Sequence, residues 1–211
     1  MSDTGSESPA PTYPVTFAVD TQLVDRNRLT TGFRLVLAIP HVLLAGGVGL
    51  GFGWWWSGGV LGTAAGVMAV IAWFGLVFAA THPRGLWDFA AFYLRWRARS
   101  APYLMLLRDE YPPFGDETYP TTFAVEWPTG PRNRLSIGLR IFYVIPHVIV
   151  LIFLNLAWVF TSIVAWFAIL FTGRYPRALY EFAVGVLRWD LRVEAYLLLM
   201  RDEYPPFTLS P

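Results

Sequence analysis

The feature that most constrains this chain is that it contains the same sequence twice. Residues Tyr13 to Leu44 match Tyr119 to Val150 at an offset of 106, with sixteen identities in thirty-two ungapped positions. The shared core reads R-N-R-L (Arg26 to Leu29 and Arg132 to Leu135), then Gly32 and Arg34 against Gly138 and Arg140, then I-P-H-V (Ile39 to Val42 and Ile145 to Val148). Downstream, Trp73 to Phe114 matches Trp166 to Phe207 at an offset of 93, ending in the identical heptapeptide R-D-E-Y-P-P-F (Arg108 to Phe114 and Arg201 to Phe207). The first copy therefore carries thirteen extra residues, within or beside the Gly-rich run leading to Trp54, Trp55 and Trp56. A fold that accepts both copies is one module used twice, repeat 1 over 13–114 and repeat 2 over 119–207, with Gly115 to Thr118 as a short linker.

Each copy has an uncharged block, 35–81 in the first and 141–173 in the second. A membrane span needs about 20 mostly apolar residues, and the chain is 55% hydrophobic with only 15% charged residues, so the bilayer is its natural solvent. The 47 residues of the first block predict two spans joined near Trp54 to Gly59. The 33 of the second predict a tighter hairpin turning near Asn155, because a single helix of that length would run about 50 Å. Arginines flank both blocks on both sides, so positive charge places both hairpin mouths and both termini in the cytoplasm. The copies then share one orientation about a pseudo-twofold axis along the membrane normal.

Before and after the blocks, the patterns change. Alternation over Thr16 to Asp20 predicts a strand, with Tyr103 to Leu107 as a possible partner. Pro83 and Pro176 suit the first turn of a helix. The charges that follow, at Arg84, Asp88, Arg95 and Arg99 and at Arg177, Glu181, Arg188 and Arg192, fall on one narrow stripe. Helices over 84–99 and 177–192 with such a stripe and a broad aromatic face either lie at the membrane interface or pack on the hairpins. The fold class expected is thus a mainly α membrane protein of two tandem repeats, each a hairpin plus an amphipathic interfacial helix, with short cytoplasmic strands. Residues 1–12 read as a disordered tail without a signal peptide, and 208–211 as a second tail.

The motifs R-N-R-L, I-P-H-V, A-W-F-A-I-L-F-T-G-R-Y-P-R (Ala165 to Arg177) and R-D-E-Y-P-P-F resemble a family of bacterial, largely actinobacterial, membrane proteins classed as a domain of unknown function and often duplicated. The resemblance covers Tyr13 to Phe207. The first copy departs from it at T-H-P-R (Thr81 to Arg84) and in its Gly- and Trp-rich insertion. The resemblance implies a bacterial plasma-membrane protein and carries no activity with it.

Candidate sites follow from charge and repetition. Arg26, Arg28, Arg34, Arg132, Arg134 and Arg140, with Arg95 and Arg188 on the amphipathic stripes, are candidates for phospholipid headgroups, each cation near an anionic leaflet being worth about 1 kcal/mol. His41 and His147 are intramembrane polar candidates. As neutral rings they would satisfy a backbone carbonyl freed by Pro40 or Pro146, and otherwise they would serve a proton, ligand or metal role. The adjacent carboxylates Asp109 and Glu110, and Asp202 and Glu203, fit ion pairs to a nearby Arg better than acid-base chemistry. No catalytic motif, metal-ligand pattern or cofactor fingerprint is present, cysteine is absent, and a net charge of +1 is not that of a nucleic-acid binder. The function expected is a non-enzymatic membrane scaffold or accessory protein meeting lipid, a membrane-protein partner or a second copy. A small transporter or channel component is the alternative, and a lipid-modifying enzyme comes third.

Overall fold

In the computed structural model, residues 13–49, 58–79, 82–115 and 117–211 are described. The order is β1 (Val15–Val19), α1 (Arg28–Gly32), α2 (Arg34–Ala45), α3 (Gly59–Ala79), α4 (Arg84–Leu104), β2 (Thr121–Val125), α5 (Arg134–Gly138), α6 (Arg140–Thr172) and α7 (Arg177–Leu197). The R-N-R-L motif starts each copy's first helix: the Asn27 and Asn133 side chains accept the backbone N–H of Thr30 and Ser136, both at 3.1 Å, as N-caps do.

The hairpin expected in the second block does not form. The second block is one unbroken helix, α6, of 33 residues, which ends only at Gly173, in the left-handed conformation common after a helix C-terminus. Asn155 does not turn the chain; its amide reaches back to the Leu151 carbonyl at 2.9 Å within the helix. The first block gives α2, whose 12 residues extend about 18 Å, and α3, with 21. The turn expected near Trp54 to Gly59 falls mostly on residues 50–57, outside the described residues, as does Thr81.

The offsets explain the asymmetry. α2 aligns with the first 12 residues of α6 and α3 with the remaining 21, so α2 and α3 together correspond to α6, and the thirteen extra residues, 46–58, lie between them in sequence. The two pieces meet. A Cβ on Gly59, at the start of α3, would lie 2.6 Å from the Leu44 carbonyl oxygen and 2.7 Å from the Gly46 nitrogen, contacts only glycine permits. The inward residues agree position by position: Arg34, Ala38, His41, Ala45, Gly62, Ala65, Ala69, Ala72 and Leu76 in one, and Arg140, Val144, His147, Leu151, Asn155, Trp158, Ser162, Ala165 and Ile169 in the other.

The remaining surface of these helices is exposed and apolar. On the face opposite the buried stripe, Phe142, Ile149, Phe153, Phe160, Val164 and Phe171 are 53–77% exposed, and their counterparts Val36, Leu43, Val60, Val67, Ile71 and Phe78 are 56–72% exposed. Helices α3 and α6 are long and apolar enough to cross a membrane.

The partner of β1 is not 103–107, which closes α4 and the turn after it, but β2, its own counterpart in the other copy. They pair antiparallel, with Phe17 opposite Phe123, the same position of the two copies. The pseudo-twofold axis therefore passes through this pair, perpendicular to the ribbon. The layers stack along it. The ribbon packs on α4 and α7, and these pack on α2, α3 and α6. The amphipathic helices are thus the middle layer: Trp87, Tyr93 and Trp96, and Tyr180, Val186 and Trp189, are buried in protein rather than in an interface. These helices begin after Pro83 and Pro176, which are N-caps. They also run past the expected ends at 99 and 192. Residues 208–211 are not a free tail, since Leu209 packs on Gly185 and its carbonyl accepts from Arg188 at 2.8 Å.

Two reciprocal hydrogen bonds fix the direction of the long helices. The Trp73 indole donates to the Ile137 carbonyl and the Trp166 indole to the Thr31 carbonyl, both at 3.0 Å. Positions related by a twofold axis share a height along it, so Thr31 is level with Ile137 and Trp73 with Trp166. Because Trp166 also touches Thr31, all four are nearly level. Each long helix therefore runs across the axis, antiparallel to its counterpart. The ribbon's outer residues Thr16, Ala18, Asp20, Thr122, Ala124 and Glu126 form the opposite, polar pole.

Candidate functional site

The three repeated motifs meet in one clasp per copy. Asp109 of the heptapeptide accepts from Arg26 Nε and Nη2 at 3.0 and 2.8 Å, from Arg34 Nη2 at 2.8 Å and from the Asn27 backbone N–H at 2.8 Å. Asp202 receives Arg132 at 2.7 and 2.8 Å and Arg140 at 2.7 Å. Burial alone would raise the Asp109 and Asp202 carboxyls, but the guanidinium hydrogen bonds, Arg26 on Asp109 and Arg132 on Asp202, hold both below the usual carboxylate range. Arg26 and Arg132 also donate to the carbonyls of Leu106 and Leu199 at 2.6 and 2.7 Å. Those leucines are left-handed, with φ 65° and 61°, which turns their carbonyls toward the arginines. Arg34 and Arg140 lie over Tyr103 and Tyr196, 4.0 and 4.3 Å from the ring centroids.

Four of the eight headgroup candidates are therefore spent within the protein. Arg26, Arg34, Arg132 and Arg140 have side chains no more than 8% exposed and carry Asp partners, so they are not free surface cations. Arg188 is half-buried on the Phe17 and Leu209 carbonyls. Arg28, Arg134 and Arg95 remain exposed. Asp109 and Glu110 turn to different cations, Glu110 taking Arg108 at 2.9 and 2.6 Å, and Arg201 holds Glu203 in the same way at 3.0 and 2.5 Å.

His41 and His147 sit inside the clasps. Each Nδ1 accepts an indole N–H, from Trp96 at 3.2 Å and from Trp189 at 3.1 Å. Each ring stacks on the last residue of its own heptapeptide, Phe114 at 4.7 Å and Phe207 at 3.9 Å between centroids. The Tyr204 hydroxyl donates to the Tyr143 carbonyl at 3.0 Å, beside the Phe142 carbonyl that Pro146 leaves without its helical donor. The two rings lie in separate clasps rather than at one shared site. Among the described residues no group of three or more His, Asp or Glu could hold a metal ion.

A second polar site was not anticipated. Where α4 crosses α7, Arg97 and Glu194, each with its side chain 1% exposed, form an ion pair at 2.8 Å. Arg97 also donates to the carbonyls of Ala45, Gly47 and Gly49, which the interruption of the first long helix leaves without helical partners. In the other copy the helix continues, no such carbonyls exist, and the position equivalent to Arg97 is Asp190. It is fully buried and accepts from the Asn155 amide at 3.0 Å. Burial pushes its carboxyl up to about 7, against the pull of Arg97. The Tyr93 ring fills the space that Gly62 leaves open, its hydroxyl 2.8 Å from where a Cβ would stand. The signal lay in the differences between copies, Gly62 against Asn155, Arg97 against Asp190 and Ala101 against Glu194, rather than in the identities.

A family described as "Domain of unknown function (DUF4389)" matches residues 28–115 and again 134–208, so the chain belongs to it as a duplicated pair. No curated protein and no solved structure matches the chain.

Proposed function

We propose that this DUF4389 member is a non-enzymatic scaffold or accessory protein of a bacterial plasma membrane, lying in the cytoplasmic leaflet with its ribbon and both termini in the cytoplasm. The observation that carries the reading is the continuous apolar face of α2, α3 and α6, twelve opposed positions all exposed and all apolar, far beyond what a soluble monomer leaves uncovered. The opposite pole is polar. With the pseudo-twofold axis along the membrane normal, the long helices lie in the membrane plane and the ribbon faces water. With the axis in the plane, the exposed Asp20 and Glu126 would sit at mid-bilayer, at a cost of several kcal/mol each. The single-leaflet arrangement thus fits better than the multi-pass hairpins expected from the sequence. It keeps the expected cytoplasmic termini and agrees with arginines at both ends of both blocks.

The repeated residues support a scaffold, because the clasps spend them on holding the layers together and leave Arg28, Arg134 and Arg95 for lipid or a partner. Alkaline extraction of native membranes tests the reading: the chain stays with the membranes, and release into the supernatant overturns it. Asp190 favours a second reading, a proton-coupled transporter component, since a buried carboxyl near neutrality can change charge in the working range. Solute accumulation in proteoliposomes that is lost in Asp190→Asn would support that reading instead.

A further inference from the structure

Two apolar clefts open beside the long helices, and they are one cleft formed twice. The larger, about 510 Å³, lies between the start of α2, the end of α4 and the second half of α6, with Arg34, Trp166 and Phe167 in its wall. The smaller, about 260 Å³, lies between the start of α6, the end of α7 and the second half of α3, with Arg140, Trp73 and Phe74 in its wall. At the repeat offsets these are the same three positions. Each cleft takes its arginine from one copy and its aromatic pair from the other, so a single copy cannot build it.

Empty apolar volume destabilises a fold, yet neither copy has filled the hollow, although the residues around it differ in size (Ser162 in one, Ala69 in the other). The walls are held open. Both tryptophans are pinned by their indole N–H to a carbonyl across the copy boundary. One end of each cleft is positive: two buried arginines share one aspartate there. Exposed Arg28 lies over Gly173, at the end of the α6 helix that walls the larger cleft.

We infer that each cleft holds an acyl chain of an anionic membrane phospholipid, the chain lying against the aromatic pair and the headgroup at the arginine end. The inference rests on the membrane reading above. The phosphate stands toward the polar layers and the chain descends to the apolar face, which is the orientation of a lipid in the same leaflet.

The test counts lipids retained by the purified full-length chain in native mass spectrometry, with phosphatidylglycerol, phosphatidylcholine or oleate as the probe. Ile163 and Val70 line the two clefts and are themselves 50% and 53% exposed, so Ile163→Trp and Val70→Trp narrow the clefts without entering the core. The wild type retains two phosphatidylglycerols, each single variant one and the double variant none, with phosphatidylglycerol preferred over phosphatidylcholine about tenfold or more. Unchanged retention in the double variant, equal retention of phosphatidylcholine, or displacement of phosphatidylglycerol by an equal concentration of oleate overturns the inference. Flotation with vesicles separates the two readings. A wild type that does not float removes the membrane reading itself, whereas floating variants with undiminished lipid counts remove only the clefts.

Discussion

Replacing Asp109 by Asn removes one negative charge from the centre of a clasp and almost no volume. The Arg26 and Arg34 side chains there are 0 and 1% exposed, and Asp109 itself is 10% exposed. The substitution leaves two buried guanidinium groups without a counter-charge, and breaking a buried pair in this way costs about 3–5 kcal/mol. A protein is typically stable by about 5–15 kcal/mol, so the variant is expected to lose a large part of its cooperative unfolding transition. Asp202→Asn is the internal control. Its geometry is the same, but the carboxylate is 23% exposed, so water screens the orphaned cations and the loss is smaller. Asp88→Asn, at a surface pair with side chains 62 and 54% exposed, should cost under about 0.5 kcal/mol. Denaturant titration of the detergent-solubilised protein, followed by circular dichroism, ranks the three. The reasoning is refuted if Asp109→Asn unfolds with Asp88→Asn. The pH dependence has a definite sign. Both clasp carboxyls are depressed in the folded state, so their stabilisation is complete above the ordinary carboxylate value near 4 and fades as the pH falls through the lower folded values.

The opposite sign holds for Asp190, whose folded value of about 7 lies above its unfolded value of 3.8. The charged form is the one that folding disfavours, so stability falls as pH rises from about 4 through 7. Asp190→Asn should therefore unfold later than wild type at pH 8 and no later at pH 4, read in the same titration; no difference at pH 8 counts against the assignment. His41→Gln with His147→Gln keeps an acceptor for the Trp96 and Trp189 indoles but loses the stacking on Phe114 and Phe207, each aromatic pair being worth about 0.5–1.5 kcal/mol beyond its area. The double variant should fold with a modest loss and no change on elemental analysis; loss of a stoichiometric metal contradicts the structural role. Gly185→Ala places a Cβ 2.8 Å from that of Leu209 and should loosen residues 208–211 at a cost of about 1–3 kcal/mol, seen as faster hydrogen exchange at the Ser210 amide.

The duplication, the apolar blocks and the positions of the motifs were legible because each is a local property of sequence. How α6 runs was not. Length alone argued for a turn at Asn155, but a helix that lies across the pseudo-twofold axis need not fit within a bilayer's thickness, and nothing between Leu151 and Trp158 interrupts its backbone hydrogen bonds. Charge counting failed at Arg26 and Arg34, since an arginine beside an apolar block looks the same whether it meets a phosphate or an aspartate 75 or 83 residues away. The aromatic face of α4 read equally as lipid-facing or core, and only the ribbon and the long helices on either side of it decide for core. The crossing of Arg97 and Glu194 was hidden for another reason. Arg97 and Glu194 are positions where the copies differ, Asp190 and Ala101 being their counterparts, so identity between the copies does not mark them.

Under the proposed function the long helices lie in the plane of one leaflet, and the absence of cysteine makes their depth directly measurable. Spin labels placed singly at Phe142, Ile149, Phe153, Phe160, Val164 and Phe171, in protein reconstituted into vesicles, report depth from their relative accessibility to oxygen and to a polar nickel complex. These sites share one face of α6 and span about 44 Å of helix. Helices lying in the plane of one leaflet give one nearly constant depth along all six. A profile that is deepest near Phe153 and Phe160 and rises to water at both ends is that of a helix crossing the bilayer, and it would overturn the in-plane placement.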